Sequence, residues 1–424
     1  TPNELINAIL KAPVDLLYNG GIGTYVKASS QSQQDANDRT NDAIRIDASE
    51  LRAQVVGEGG NLGFTQKARI EYAMNGGMIY TDAIDNSAGV GTSDHEVNLK
   101  ILTSGLLQSG DMTVKQRDAL LASMTDDVAR RVLVDNYQQT QAVSLEVSHG
   151  REFLNAHGQL IRFLEAHGGL NRAIEFLPDE KQLAERAQMG RGLTAPEVAI
   201  LLAYSKIALK QSILASALPE KPVFQKLLVG YFPEAVANTC AVQVPTHPLR
   251  REIITTQLVS RLVNRMGTTF FQQIGDETGA DLDRIVSAWF AASELLDAEA
   301  LWKEVEALDL KISSAQQMAL RDLVGTATRQ IPASQLARGD IGDVVATYRG
   351  AVAQAMAAAR AGKEGAESVA ALLNARLDIA GVFELVDLAR NGNHPLEEVA
   401  VAYAQLDADL NLGWIGTAIS RLPA

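Results

Sequence analysis

The sequence is poor in cysteine, since Cys240 is the only one among 424 residues. A single thiol cannot form an internal disulfide, which excludes a disulfide-stabilised extracellular fold and favours a reducing, cytoplasmic location. Long hydrophobic runs are also missing: no stretch approaches the roughly 18 apolar residues that a membrane-spanning helix needs. We therefore expect no membrane as a partner.

Basic residues are in the minority. The 38 Lys and Arg residues face 51 Asp and Glu residues, which gives a formal net charge of −13. Proteins that bind nucleic acid usually present a basic face, so nucleic acid is not expected as a partner. The histidines and the cysteine show none of the HxxxH, HExxH or CxxC spacings of metal sites, so no metal site is predicted.

What is present is typical of a globular protein. Hydrophobic residues make up 46% of the sequence and charged residues 21%. Both values are ordinary for globular proteins, and the length suits two or three domains.

The first hundred residues have the pattern of an α/β fold. Apolar runs at residues 14–18, 55–56 and 79–80 predict three strands, the first of them buried, and residues 64–75 predict a helix between the last two. A strand–helix–strand connection of this kind makes its two strands parallel. Ligands of open α/β sheets bind beyond the carboxyl ends of such strands, so the loops that follow the strands are the candidate site.

The loop after the first strand contains Asn19, Gly21 and Gly23. These glycines match only the first half of the Gly-x-Gly-x-x-Gly dinucleotide fingerprint, because Val26 stands where the third glycine would be. We interpret the glycines as positions where the backbone passes close to part of a ligand, rather than as a pyrophosphate site.

The loop after the second strand contains Gly59, Gly60 and Asn61. The two glycines remove side chains where a flat ring could approach the backbone, and the asparagine amide offers both a donor and an acceptor. A nicotinamide carboxamide or a ribose hydroxyl requires that pairing. The alternative is a tight strand-to-helix turn whose asparagine only caps the helix, and the residues alone leave both open.

A further helix is predicted to begin near Asn86, and Ser93 lies on the same face two turns later. Helix N-termini favour anions, so an anionic ligand is one interpretation, and a glycine-rich helix start without a ligand is the other. Four acidic residues would repel an anion here unless they point away or pair with cations: Asp82, Asp85, Asp94 and Glu96.

The sequence after about residue 110 predicts helices only. Residues 249–266 have amphipathic helical spacing, and the apolar run at residues 196–216 follows Thr194, a good N-cap. The predicted architecture is therefore an α/β domain at residues 1–110 followed by an all-helical domain at residues 111–424.

The three loops resemble the C-terminal part of the large NAD-dependent glutamate dehydrogenases of bacteria. The segments that carry the resemblance are Asn-Gly-Gly-Ile-Gly-Thr-Tyr at 19–25, Gly-Glu-Gly-Gly-Asn-Leu-Gly at 57–63 and Asp-Asn-Ser-Ala-Gly-Val-Gly-Thr-Ser-Asp-His-Glu at 85–96. The resemblance implies that residues 1–110 are the second half of a Rossmann-like domain. It also implies NAD as the cofactor, with L-glutamate and 2-oxoglutarate as substrate and product.

The resemblance also implies roles for individual residues. Smaller glutamate dehydrogenases have Glu-Gly-Ala-Asn in place of residues 58–61, so Asn61 would contact the nicotinamide ring or its ribose. They have Asn-Ala-Gly-Gly-Val in place of residues 86–90, so Asn86 would contact the nicotinamide carboxamide. By the same match Ser93 would help to hold the distal carboxylate of glutamate. The other residues predicted to bind the cofactor are Asn19, Gly21, Gly59 and Gly60.

Two parts of such enzymes have no counterpart in this sequence: the catalytic lysine and aspartate of the substrate domain, and the phosphate-binding glycine turn. The resemblance therefore implies no catalytic residue here, upstream domains of the same polypeptide as partners, and no turnover by this chain alone. We also expect a homo-oligomer joined through the helical tail. Two alternatives stay open: a dehydrogenase of another amino acid, or a helical assembly or regulatory module without chemistry.

Overall fold

The computed structural model describes residues 1–329, 341–360 and 379–395, together with residues 398, 399 and 402. The chain forms two compact units, Thr1–Leu282 and Asp283–Ala424. Helices dominate the described residues, and a small amount of parallel sheet lies near the N-terminus. No helix among these residues is both long enough and apolar enough to cross a bilayer.

The strands are β1 (Leu16–Asn19), β2 (Val26–Lys27), β3 (Ile46–Asp47) and β4 (Val55–Glu58). The helices up to residue 278 are α1 (Pro2–Leu10), α2 (Gln66–Met74), α3 (Asp82–Asp85), α4 (Ser87–Ser109), α5 (Val114–Ser123), α6 (Thr125–His149), α7 (Arg151–His167), α8 (Glu180–Gln188), α9 (Ala195–Leu214), α10 (Gln225–Tyr231), α11 (Glu234–Thr239), α12 (Arg250–Met266) and α13 (Phe270–Thr278). The later helices are α14 (Leu282–Leu295), α15 (Ala298–Glu306), α16 (Ser314–Arg329), α17 (Ile341–Arg360) and α18 (Ile379–Gly392).

The strands that position the candidate site are parallel. β1 pairs with β4, and Leu16 lies opposite Val55 while Asn19 lies opposite Glu58. Val55 also forms a parallel bridge with Met78, so β4 lies between β1 and the segment at residue 78. The predicted strand at residues 79–80 is therefore wrong in extent, because this segment contributes one bridge at the preceding residue.

The prediction that the first strand is buried is wrong. Leu16 is 57% exposed and Tyr18 is 66% exposed, because both side chains point to the face of the sheet that lies away from the core. Leu17, which points to the opposite face, packs against the core. An apolar run predicts a strand, but it does not tell whether one face of that strand is buried or both.

Helix α2 covers the inner face of this sheet. Thr65 caps the helix, and its hydroxyl accepts a hydrogen bond of 3.2 Å from the backbone N–H of Ala68. The hydroxyl of Tyr72 donates to the carbonyl of Ala53 at 2.6 Å, which ties the helix to the chain just before β4. The buried core here consists of Val26, Ile46, Ala48, Val56, Phe64, Ala68, Tyr72 and Ile79.

The helices predicted at residues 196–216 and 249–266 are confirmed as α9 and α12. A capping box between Thr194 and Glu197 begins α9, and the buried Glu197 carboxylate accepts two hydrogen bonds of 2.7 Å from Arg186. The apolar stripe of α12 is buried as its spacing predicts, through Ile253, Leu258, Leu262 and Met266.

The second unit has its own core, which includes Trp302, Val305, Val324 and Val352. In the described part of the chain beyond residue 110, every regular element is an α-helix or a 3₁₀ turn, so the all-helical prediction is confirmed there. Residues 330–340, 361–378, 396–397, 400–401 and 403–424 lie outside the described residues. The predicted domain boundary at residue 110, directly after α4, stays a prediction.

Candidate functional site

Three loops meet at the carboxyl end of the parallel sheet. The first loop follows β1 at residues 20–23, and the second follows β4 at residues 59–63. The third follows the bridge at Met78, at residues 79–86, and includes the short helix α3. The backbone N–H of Gly60 donates to the carbonyl of Asn19 at 2.8 Å. The Asn86 Nδ2 atom donates to Asn61 Oδ1 at 3.4 Å. The predicted meeting of the two asparagines at one site is thus confirmed, whereas their roles stay predictions.

The glycines at this junction have a packing reason. A Cβ added to Gly60 would overlap the carbonyl oxygen of Gly21, and a Cβ added to Gly59 would overlap the Tyr18 hydroxyl. The first two loops therefore lie directly on each other, backbone against backbone. Sequence reasoning attributes these glycines to a ligand that approaches the backbone, and the structure adds the close approach of the neighbouring loop as a separate cause.

The acidic residues around the helix start are engaged. Asp85 accepts a hydrogen bond of 2.8 Å from the backbone N–H of Glu58. Asp82 accepts one of 2.7 Å from the N–H of Leu62 and lies 3.2 Å from Arg69. Both aspartates thus fix the loop that carries Asn61. The two remaining acids are also held, Asp94 by the Tyr231 hydroxyl and Glu96 by Lys100.

A buried ion pair lies beneath the second loop. The Arg69 guanidinium donates to both carboxylate oxygens of Glu58, at 2.7 Å and 2.9 Å, and the Glu58 side chain is 0% exposed. Burial raises the pKa of Glu58, and the adjacent guanidinium opposes that shift. Burial also raises the pKa of Asp85, against the effect of its hydrogen bond from Glu58. These hydrogen-bonded groups form the base of the site, directly beneath the asparagine loops.

Helix α6 holds the third loop. Asn136 donates to the carbonyl of Ile84 at 2.7 Å and to the Ser87 hydroxyl at 3.0 Å. It thereby fixes both sides of Asn86, which is the N-cap residue of α4. Sequence reasoning missed Asn136, because nothing in the local pattern links it to a loop about fifty residues earlier.

The site residues predicted from the sequence are partly accessible. Asn61, Gly21 and Ser93 are exposed, and Asn19 and Asn86 are half-buried. The side-chain amide of Asn19 is only partly satisfied. Its Oδ1 accepts from the N–H of Gly21 at 3.3 Å, but its buried Nδ2 has no hydrogen-bond partner among the described residues. An unsatisfied buried donor at this position is the kind of group that a bound ligand satisfies.

Helix α10, although far away in the sequence, contacts α4 just beyond Ser93 through Tyr231. The Tyr231 hydroxyl donates to Asp94 at 3.0 Å and accepts from Asn98 at 2.9 Å. Its ring stacks on His95 with centroids 4.4 Å apart. Burial lowers the pKa of His95 and raises the pKa of Tyr231. Tyr231 is therefore a positioning residue for the first turns of α4.

Replacing Tyr231 with phenylalanine is expected to lower the free energy of unfolding by about 1–2 kcal/mol, because Asn98 loses a buried hydrogen bond and Asp94 loses a partly buried one. Urea denaturation followed by circular dichroism measures this. Tyr18→Phe is the control: its ring is exposed, so a change within about 0.5 kcal/mol is expected. Equal losses from the two variants would contradict the role given to Tyr231.

Comparison with protein families finds two matches. Residues 1–146 match the family described as bacterial NAD-glutamate dehydrogenase, catalytic domain, and residues 190–424 match the family described as glutamate dehydrogenase, C-terminal.

Three curated relatives, each described as an NAD-specific glutamate dehydrogenase, are similar to the chain. The Pseudomonas aeruginosa protein is 47% identical over 321 residues, which cover 76% of this chain and 20% of the relative. The Halomonas elongata protein is 38% identical over 446 residues, covering 100% of this chain and 28% of the relative. The Mycobacterium tuberculosis protein is 44% identical over 330 residues, covering 77% of this chain and 20% of the relative. The matches therefore span between a fifth and 28% of the relatives' length.

Proposed function

This chain belongs to the bacterial NAD-glutamate dehydrogenase family, and we propose that it supplies the nicotinamide side of the active site of such an enzyme. The reaction is the oxidative deamination of L-glutamate to 2-oxoglutarate and ammonia with NAD. The catalytic lysine and aspartate then belong to upstream domains of the same polypeptide. The observation that carries this proposal is the contact between Asn61 and Asn86 at the carboxyl end of a parallel sheet.

The residues at this edge fit a nicotinamide. A carboxamide has both a donor and an acceptor, and the amides of Asn61 and Asn86 offer both in return. Asn19 adds the buried, unpartnered Nδ2 described above. NAD, when bound, accepts the hydride from the substrate carbon. The contribution of this chain is to bind and orient the ring through these side chains.

We assign the distal carboxylate of the substrate to Ser93. Seven residues separate it from Asn86, so both side chains face the same side of α4. Ser93 is exposed, and two of the acidic residues nearby are paired with cations: Asp82 with Arg69 at 3.2 Å, and Glu96 with Lys100 at 2.5 Å. An anion can therefore approach this face with less repulsion than the sequence alone suggests.

The Rossmann-like assignment of residues 1–110 is part of the same proposal. It is supported by the parallel pairing of β1 with β4, by the parallel bridge to Met78 and by α2 as the connecting helix. The helical region that follows would join subunits in a homo-oligomer, a proposal that sedimentation velocity of the full-length protein tests. A cytoplasmic location agrees with the single buried cysteine.

Steady-state kinetics of the full-length polypeptide that contains this chain tests the site. Asn61→Ala and Asn86→Ala are each expected to raise the KM for NAD about tenfold, because each removes a hydrogen bond to the ring or carboxamide. Ser93→Ala is expected to raise the KM for glutamate about tenfold and to leave that for NAD unchanged. Asn155→Ala, an exposed asparagine on α7, is the matched control and should change neither.

The outcomes separate the remaining alternatives. Wild-type kinetics in both loop variants would end the nicotinamide assignment and favour a helical assembly module. Faster reduction of NAD with leucine or phenylalanine than with glutamate would keep the dehydrogenase and change its substrate.

A further inference from the structure

A small cavity lies in the first unit, and none of its lining residues belongs to the loops just described. Its volume is about 50 Å³, and helices α7, α9, α12 and α13 form its walls. Most of the lining is apolar, including Phe163, Leu209, Leu262 and Phe271. This volume holds about four water molecules and is about a third of the roughly 150 Å³ that enclose a benzene molecule. A single ring would therefore lie partly inside the cavity and partly in its mouth, which opens to solvent.

One polar group in the wall is unsatisfied. Gln272 lines the cavity and is 7% exposed, and its Oε1 atom has no hydrogen-bond partner in the described part of the chain. The amide orientation is fixed, since Nε2 donates to the Asp276 carboxylate and an oxygen could not take that place. Buried polar groups are rarely left without a partner, so an apolar cavity with one free acceptor indicates a missing donor.

We infer that this cavity is a binding site for a small, largely apolar molecule that carries one hydrogen-bond donor, such as a hydroxyl on a single ring. The apolar body fills the space between α7, α9 and α12, and the donor bonds to Gln272 Oε1. The Asp276 carboxylate next to the amide disfavours an anionic ligand. This site is separate from the proposed nicotinamide site and does not depend on it.

Phenol and fluorobenzene are matched probes, because both are single rings with one substituent and only phenol has a donor. Titration of the 424-residue chain, followed by ligand-observed saturation-transfer NMR, is expected to give millimolar binding of phenol and about fivefold weaker binding of fluorobenzene. Gln272→Leu removes the acceptor, so it should abolish the preference for phenol while fluorobenzene still binds.

A second pair of variants locates the site. Ala208→Phe fills the cavity from α9 and is expected to abolish binding of both probes, whereas Ala203→Phe, on an exposed part of the same helix, should change neither. Ser212→Leu narrows the cavity less severely and replaces Ala208→Phe if that variant does not fold. Binding that persists in the filled variants, equal affinity for the two probes, or no binding of either would overturn the inference and leave a water-filled cavity.

Discussion

Replacement of Arg69 by methionine is expected to lower the free energy of unfolding by about 3–5 kcal/mol. The substitution removes both guanidinium hydrogen bonds to the carboxylate of Glu58, whose side chain is 0% exposed. A buried carboxylate without its partner must either stay charged in a poor solvent or take up a proton. Urea denaturation of the chain followed by circular dichroism measures the loss.

The controls distinguish burial from charge. Arg130→Met removes an arginine whose side chain is 64% exposed and pairs with Asp127 on the surface, so a loss of at most about 1 kcal/mol is expected. The double variant Glu58→Leu with Arg69→Met replaces both charges by apolar groups and should recover most of the stability. If Arg69→Met and Arg130→Met destabilise the chain equally, the buried pair is not the base of the site.

Much of the helical structure follows from local sequence. The Thr194-x-x-Glu197 capping box begins α9, and the spacing of Ile253, Leu258 and Leu262 predicts the buried face of α12. These features depend on residues within one or two turns of each other. A single sequence therefore suffices to predict them.

The meeting of the asparagine loops also follows from the sequence, but for a topological reason. Parallel strands place their carboxyl ends at the same edge of the sheet. The loops that follow neighbouring strands therefore lie close together, whatever residues they contain. The rule does not give the length of a strand or which of its faces are covered. This is why the extent predicted at residues 79–80 and the burial predicted at residues 14–18 are wrong.

The contacts that hold the site could not be predicted. Asn136 reaches Ser87 across 49 positions, and Tyr231 reaches Asp94 across 137 positions. Such contacts depend on how helices pack and rotate against each other. Amphipathic spacing shows which face of a helix is buried, but not which residue of another helix it meets.

Replacement of Gly60 by alanine is expected to lower the free energy of unfolding by about 3 kcal/mol, because the new Cβ would overlap the carbonyl oxygen of Gly21. That obstacle is backbone rather than a flexible side chain, so the two loops must separate. Gly105→Ala on α4 is the matched control. It has open space around it, and alanine in an exposed helix position should stabilise the chain by about 0.5–1 kcal/mol.

The same variant connects packing with the proposed site. Separation of the first two loops displaces Asn61 relative to Asn86 and breaks the hydrogen bond between Gly60 and Asn19, so the full-length polypeptide carrying Gly60→Ala should bind NAD more weakly than Asn61→Ala does. The KM for NAD, compared with that of Gly105→Ala, measures this effect. A variant that loses stability yet keeps its KM for NAD would mean that the glycine serves the loop packing alone, and that the ring does not bind where the two loops touch.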